Sequence, residues 1–416
     1  MITYEKSTNT PLLLSLVMTS LLFSASACSN PAAVNTNKDL TEYKEGQASV
    51  EESLANTEKP TFTTKTVASF DEPWAMTALP RIHSQPPKLL VTQKAGELLI
   101  VDTATGVKTS VNSVPKVAYG GQGGLGDIIL APDFATSNNI YISYVEAGKG
   151  ADSNKFGAKV IKATLMGLDT DAPSLQAMTP IWEQFPKVKG QGHYSHRLLF
   201  SPDGQYLYIS SGERQEKTPA QDMSVNLGKI IRLNPDGSVP ADNPFMNTNN
   251  DIADQFWTTG HRNVLGMAFD EKGRLWAHEM GPRGGDEFNL IEKGKNYGWP
   301  IVSNGRNYTG TDIPDHDTRP DFAAPKITWT PVISPSSISI YHAGKHNDFP
   351  AWQGNALISG LSSKALIVVS FEKNNGAAER YRYDMGDRTR GVLNVDGQVW
   401  LLEDGPKGRL LRLLPN

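Results

Sequence analysis

The amino-acid sequence predicts an all-β protein, and within that class a six-bladed β-propeller with four-stranded antiparallel blades. Three observations point there. One template, an apolar strand, a Gly-containing turn and a second apolar strand, recurs along the chain. Hardly any window sustains the apolar period of a helix. The 37 glycines and 27 prolines are spread along the 416 residues rather than clustered, as many short strands and tight turns require.

The first segment is read as an address. "PLLLSLVMTSLLFSASAC", ending at Cys28, is an apolar run of signal-peptide length that closes on small residues. Cys28 is the only cysteine. Its position directly after Ala25-Ser26-Ala27 resembles a bacterial lipobox and predicts cleavage after residue 27, lipidation of Cys28 and a membrane anchor. Ser29 in the next position predicts an outer-membrane lipoprotein facing the periplasm. No intramolecular disulfide can form. Residues 28–60 are polar, acidic and poor in large apolar side chains, the composition of a flexible linker. The propeller is expected over 61–416.

The hairpins follow in order. "RLLFSPDGQYLYISSG" from Arg197, "GMAFDEKGRLWAHEMG" from Gly266 and "RGVLNVDGQVWLLEDG" from Arg390 share one pattern, with alternating apolar residues on either side of Gly204, Gly273 or Gly397. Glycine supplies the positive φ of a tight hairpin turn. "KLLVTQKAGELLIVD" and "DIILAPDFATSNNIYISYVE" are looser copies. Repetition at roughly 60-residue intervals suits propeller blades, which hide their sheet edges by closing into a ring. A two-domain sandwich fits the composition too, but its strands need not share a template. A net charge of −4 gives no basic face for nucleic acid.

Four clusters depart from plain strand sequence. In "GHRNVLGMAFDEKGRLWAHEMGPRGGDEFNLIEKGKNYGWP", His261, Arg262 and Asn263 precede a hairpin. After it come Gly281-Pro282, with accessible carbonyls, and Asp286-Glu287, with carboxylates. Such hard oxygens suit Ca²⁺, although the same segment also reads as a solvated turn. "KGQGHYSHRLLF" sets His193, His196 and Arg197 just before a core strand, where a histidine can serve as general base or simply pack. Zinc has no further His or Cys cluster to support it. "AYGGQGGLGDIILAPDF" carries Gln122 among glycines. It lacks the Lys-Ser/Thr and the helix of a phosphate loop. In "GDRTRGV", Arg388 and Arg390 stand two apart, on one face of a strand. Side by side, they call for an anion such as a ligand carboxylate, or else form an exposed cationic face.

Together the motifs "GHRNxxGxAF", "GPRGGDExNLIxxGxNYGWP" and "WTPVIxPS" resemble the soluble, pyrroloquinoline quinone (PQQ)-dependent glucose/sorbosone dehydrogenases, and within them the aldose sugar dehydrogenase branch. The resemblance covers essentially all of 61–416. It implies a six-bladed propeller with PQQ over a Ca²⁺ ion. It further implies that His193 is the catalytic base, that Arg262 helps polarise the quinone carbonyl, and that Gln122, Arg262, Asn263, Tyr308, Ser362, Arg388 and Arg390 contact PQQ. Gly281 and Pro282 would hold the cofactor's Ca²⁺ through their carbonyls, and Glu287 with Tyr297 a further ion. Two positions depart from the family: His196 replaces a small residue between the family's His and Arg, and Ser362 stands where a PQQ-binding Lys is usual, with Lys364 two residues on.

The chemistry implied is oxidation of an aldose sugar at C1 to a lactone, with electrons passed on to an acceptor the sequence does not identify. Two other classes remain open at this point: a Ca²⁺-dependent lactonase on the same fold, and a non-catalytic propeller binding carbohydrate or protein. On a strand, His193 and His196 are expected to face opposite ways, so that only one reaches the sugar.

Overall fold

Gly204, Gly273 and Gly397 lie at φ +70°, +72° and +81°, the left-handed turn geometry that the hairpin template requires. The structure, a computed structural model, describes residues 58–80, 85–246 and 249–416. The signal segment, Cys28 and the linker as far as residue 57 lie outside the described residues. No helix among those described is long and apolar enough to cross a membrane.

The strands form six four-stranded antiparallel sheets. The first, β1 (Phe62–Asp71), is set aside for the last blade. Blade 1 is β2 (Pro73–Ala78), β3 (Lys88–Gln93), β4 (Glu97–Asp102) and β5 (Lys108–Ser110). Blade 2 is β6 (Leu125–Leu130), β7 (Asn139–Ala147), β8 (Phe156–Met166) and β9 (Ser174–Glu183). Blade 3 is β10 (Ser195–Phe200), β11 (Leu207–Ser211), β12 (Lys229–Leu233) and β13 (Phe256–Thr259). Blade 4 is β14 (Val264–Phe269), β15 (Leu275–Glu279), β16 (Asp286–Ile291) and β17 (Ile327–Trp329). Blade 5 is β18 (Pro335–Ile340), β19 (Ala356–Gly360), β20 (Ala365–Phe371) and β21 (Ala377–Asp384). Blade 6 is β22 (Thr389–Val395), β23 (Gln398–Glu403) and β24 (Pro406–Pro415), with β1 as its outermost strand.

The inner strands β2, β6, β10, β14, β18 and β22 each pack on the next, and β22 returns to β2. The ring is closed by β1, paired antiparallel with β24 from Phe62↔Pro415 to Asp71↔Pro406. The core is correspondingly divided, one apolar cluster between each pair of blades. Trp74, Ile100, Ile128 and Ile142 join blades 1 and 2, and Trp276, Phe288, Ile358 and Ile367 join blades 4 and 5. Burial of this kind stabilises by roughly 25 cal/mol per Å² of apolar surface.

One feature repeats in all six blades and positions the site. Where the inner strand meets the second, pairing slips: at Pro73/Ala75, Leu125/Ile128, Ser195/Leu198, Val264/Gly266, Pro335/Ser337 and Thr389/Gly391. Such a bulge frees a backbone N–H that needs an acceptor. In blades 1, 3 and 5 a hydroxyl on the second strand meets that need and also reaches the next blade. Thr92 Oγ1 accepts from Ala75 N (3.0 Å) and donates to Gly126 O (2.7 Å). Ser210 Oγ accepts from Arg197 N (2.9 Å) and donates to Val264 O (3.0 Å). Ser359 Oγ accepts from Ser337 N (3.0 Å) and donates to Arg390 O (3.1 Å). Each bond contributes about 1 kcal/mol net. In blade 2, Ser143 Oγ accepts from Asp127 N (2.8 Å), but its other partner is a side chain, His196 Nδ1 (2.8 Å). Blades 4 and 6 place His278 and Leu402 at the position, which carry no hydroxyl.

Candidate active site

The inner strands begin, and the second strands end, around a cavity of about 370 Å³. Its walls come from Trp74, His196, Leu265 and Arg390 on the inner strands, and from loop residues that include Lys94, Gln122, Tyr194, Ser334, Arg388 and Asp404. In blade 2 the inner-strand position is Gly126. Its missing side chain is required, because a Cβ there would collide with the His196 ring. That ring stacks on Trp74, with centroids 4.9 Å apart and planes at 14°. The next residue, Arg197, ties four blades together: it donates to Leu265 O and Ser336 O (2.8 Å each) and pairs with Asp127 (3.2 Å).

The entry to β10 is not a regular strand. His193, Ser195 and His196 have φ of +47°, +58° and +51°. Strand alternation therefore fails here, and the expectation that the two histidines face opposite ways on strand geometry has no strand to rest on. Both are buried, 6% and 1% exposed. His196 lines the cavity; His193 does not, although its neighbours Tyr194 and Ser195 do. His193 N donates to Gln122 Oε1 (2.7 Å), and His193 Nδ1 meets Glu213, a buried carboxylate that sequence reading missed. Burial pushes the His193 pKa below its usual value; Glu213 opposes that shift, and Arg262 and Arg214 add to it. Burial, with Arg197 and Arg214 nearby, pushes His196 down to about 3.

Arg262 bridges the cavity wall and a small hollow beside it. It donates through Nη1 to Met280 O (2.9 Å) and Gly281 O (2.8 Å), and its backbone N donates to Glu279 Oε2 (2.6 Å). Its Nε–H is buried with no acceptor. Asn263 joins the two turns, accepting from Ser195 Oγ (3.0 Å). Tyr308, 73% exposed, reaches Arg262 Nη2 at 3.4 Å. Ser362 is exposed, donates to Val332 O (3.1 Å), and leaves Leu361 to line the cavity; Lys364 donates to Gly386 O (3.2 Å). The two positions that depart from the family pattern thus lie on different ground, His196 inside the cavity and Ser362 outside its lining.

Arg388 and Arg390 do share a face, and the anion between them belongs to the chain. Asp404 binds Arg388 Nε (2.8 Å) and Arg390 Nη2 (2.8 Å), and it is held below the usual carboxylate range by those cations against its own burial. Asp404 is thus an anion between the two arginines that sequence reading did not find. Lys94, paired with Glu72 (3.2 Å), is a third lining cation that sequence reading missed. Lys94, Arg388 and Arg390 against Glu72 and Asp404 leave the lining with a net charge of +1.

The hollow, about 10 Å³, has room for one ion or one water. Gly281, Glu287, Tyr297 and Ser303 line it, and Pro282 is buried in the adjoining turn. Glu287 accepts from Asn289 Nδ2 (3.1 Å) and faces His316 Nε2 (3.2 Å). Asp286, read from sequence as a second carboxylate for an ion, is engaged otherwise. It accepts from Gly281 N, Ile333 N and Ser334 N (2.8, 2.8 and 2.7 Å), and burial pushes its pKa up to about 6. No three His, Cys, Asp or Glu side chains group as metal ligands among the described residues, so an ion here depends on carbonyl oxygens. That donor set, with one carboxylate, fits Ca²⁺. The cationic lining, the spare Arg262 Nε–H and the Gln122 amide fit a planar polycarboxylate.

Three comparisons bear on this geometry. The sequence profile of the Glucose / Sorbosone dehydrogenase family matches residues 70–412. The chain is 37% identical over 352 residues to the aldose sugar dehydrogenase YliI of Escherichia coli K12, covering 83% of this chain and 90% of that protein. Its fold is similar to the apo-form crystal structure of the soluble E. coli aldose sugar dehydrogenase (TM-score 0.76, 34% identity, 86% of this chain and 100% of that one). It is also similar to the PQQ-bound aldose sugar dehydrogenase of Streptomyces coelicolor (TM-score 0.69, 28% identity, 86% and 100%).

Proposed function

The chain belongs to the glucose/sorbosone dehydrogenase family, and from that premise we propose that it is a PQQ- and Ca²⁺-dependent dehydrogenase that oxidises aldose sugars at C1 to lactones. The observation that carries the reading is the His193–Glu213 pair beside a cavity with a cationic lining. A carboxylate only accepts, so Glu213 fixes the proton on Nδ1 and leaves Nε2 with a lone pair. His193 then takes the proton from the sugar's anomeric hydroxyl, and the positive charge that forms on the ring lies against Glu213. Because burial holds the ring's pKa down, it stays a neutral base to lower pH than an ordinary imidazole. General-base help of this kind is typically about 10²–10⁴-fold.

Arg388, Arg390 and Lys94 would hold the cofactor's carboxylates, with Arg262 and Gln122 donating to its oxygens. Gly281 and Pro282 would face its Ca²⁺ ion, and Glu287 with Tyr297 a further one. When bound, PQQ supplies the two-electron acceptor that takes the hydride from C1. The apo protein should gain aldose-dependent dye reduction when PQQ and Ca²⁺ are added together. Chelation should abolish that activity and lower the thermal midpoint, because an ion that binds only the folded state stabilises it by mass action. Full activity in the chelated protein would remove Ca²⁺ from the reading. Lactone hydrolysis without PQQ would replace it with a lactonase.

The envelope address is part of the proposal. The apolar run ending at Cys28 supports lipidation there, an anchor in the outer membrane, and catalysis on the periplasmic side. Intact-mass measurement should find an acylated residue 28 as the mature N-terminus; an unmodified start elsewhere would refute it.

A further inference from the structure

His196 and His193 are both buried, both sit at positive φ and lie three residues apart at the entry to β10, but their Nδ1 partners differ in kind. Ser143 can accept and can also donate. Its oxygen already accepts from Asp127 N at 2.8 Å, and its one remaining partner is His196 Nδ1 at 2.8 Å. For the buried hydroxyl hydrogen to be used, it must point at Nδ1. The internal repeat argues the same direction independently. The equivalent hydroxyls of Thr92, Ser210 and Ser359 each accept from the bulge N–H and donate across to the next blade. Ser143 makes the same crossing, with His196 in place of a carbonyl. If Ser143 donates to Nδ1, the proton of the neutral ring is on Nε2, which has no protein partner.

We propose that His196 presents an Nε2–H into the cavity and donates it to an acceptor oxygen of the bound quinone cofactor, a carboxylate or a carbonyl. The proposal rests on the reading of the cavity as the PQQ site. It assigns His196 a binding role opposite in proton sense to that of His193. The Trp74 stack, the space left by Gly126 and the Ser143 bond hold the ring in one orientation, so little freedom is lost when the ligand arrives. Because the ring stays neutral, it adds a donor without adding charge.

Two measurements test this. Imidazole ¹⁵N spectra of the Ca²⁺-loaded protein without cofactor should show His196 protonated on Nε2 and His193 on Nδ1. Finding His196 protonated on Nδ1 would overturn the proposal whatever the ligand. PQQ titration followed by absorbance should show about tenfold weaker binding in His196→Phe, the loss of one hydrogen bond to an anionic oxygen. The ratio to wild type should stay constant from pH 5 to 8, and His196→Gln, which keeps an N–H donor, should recover most of the affinity. Equal affinity in wild type and His196→Phe, or a ratio that collapses as pH rises, would refute it. Failure of the wild type to bind PQQ would instead refute the reading of the cavity, while the spectra would still decide the tautomer.

Discussion

Set side by side, the surroundings of His193 and His196 differ less in burial than in the hydrogen inventory of one neighbour. Glu213 has no proton to give, which suits His193 to the proposed role of base. Ser143 has one proton and no acceptor for it other than Nδ1, which suits His196 to the proposed role of donor. In the proposed reading, two identical side chains three residues apart thus take complementary roles. The difference arises in residues distant along the chain: Ser143 lies 53 positions from His196, and Glu213 lies 20 from His193.

The largest effect expected from breaking this contrast is on His193. Its replacement by Ala should lower kcat by about 10²-fold or more while PQQ still binds. If His193→Ala turned over near the wild-type rate and His196→Gly were inactive, the two roles would have to be exchanged.

A smaller effect should follow from Glu213→Gln. An amide can donate to Nδ1 as well as accept from it, so the tautomer is no longer fixed and kcat should fall by about tenfold. Glu213 also raises the His193 pKa against the dominant effect of burial. Its loss should move the acid limb of kcat/KM to lower pH. A shift to higher pH would show that Glu213 does not face His193 as its partner.

The smallest effect concerns stability. His196 holds its pKa near 3 in the folded state, well below the ordinary 6.5. As pH falls below 6.5 the unfolded chain takes up a proton that the folded one refuses, so stability declines, by at most about 1.4 kcal/mol per pH unit. In His196→Phe that contribution disappears, and the denaturation midpoint should fall less steeply between pH 6 and 5. Parallel curves for the two proteins would mean that His196 titrates in the folded state.

The architecture was legible because turn chemistry is local. Gly204, Gly273 and Gly397 each announced a hairpin, and the shared template announced repeated blades. Much of the site was legible for the same reason: the segment from Gly260 to Trp299 supplies Arg262, Gly281, Glu287 and Tyr297 to one hollow. Partners brought together only by ring closure were not. Nothing around Asp404 marks it as the counter-ion of Arg388 and Arg390, and Lys94 reads as an ordinary turn lysine. The alternation argument failed at the entry to β10 because His193, Ser195 and His196 adopt positive φ without being glycine. No residue type there signals it.

The pairing of β1 with β24 has a consequence for biosynthesis. Phe62 meets Pro415, so β1 finds its place in the sixth blade only once residues 406–415 have been made. A ribosome that stops before Pro406 releases five blades with β1 unmated and the edge of β23 bare, an open template for pairing with other chains. A copy without β24 thus presents two unpaired strand edges at once, those of β1 and β23.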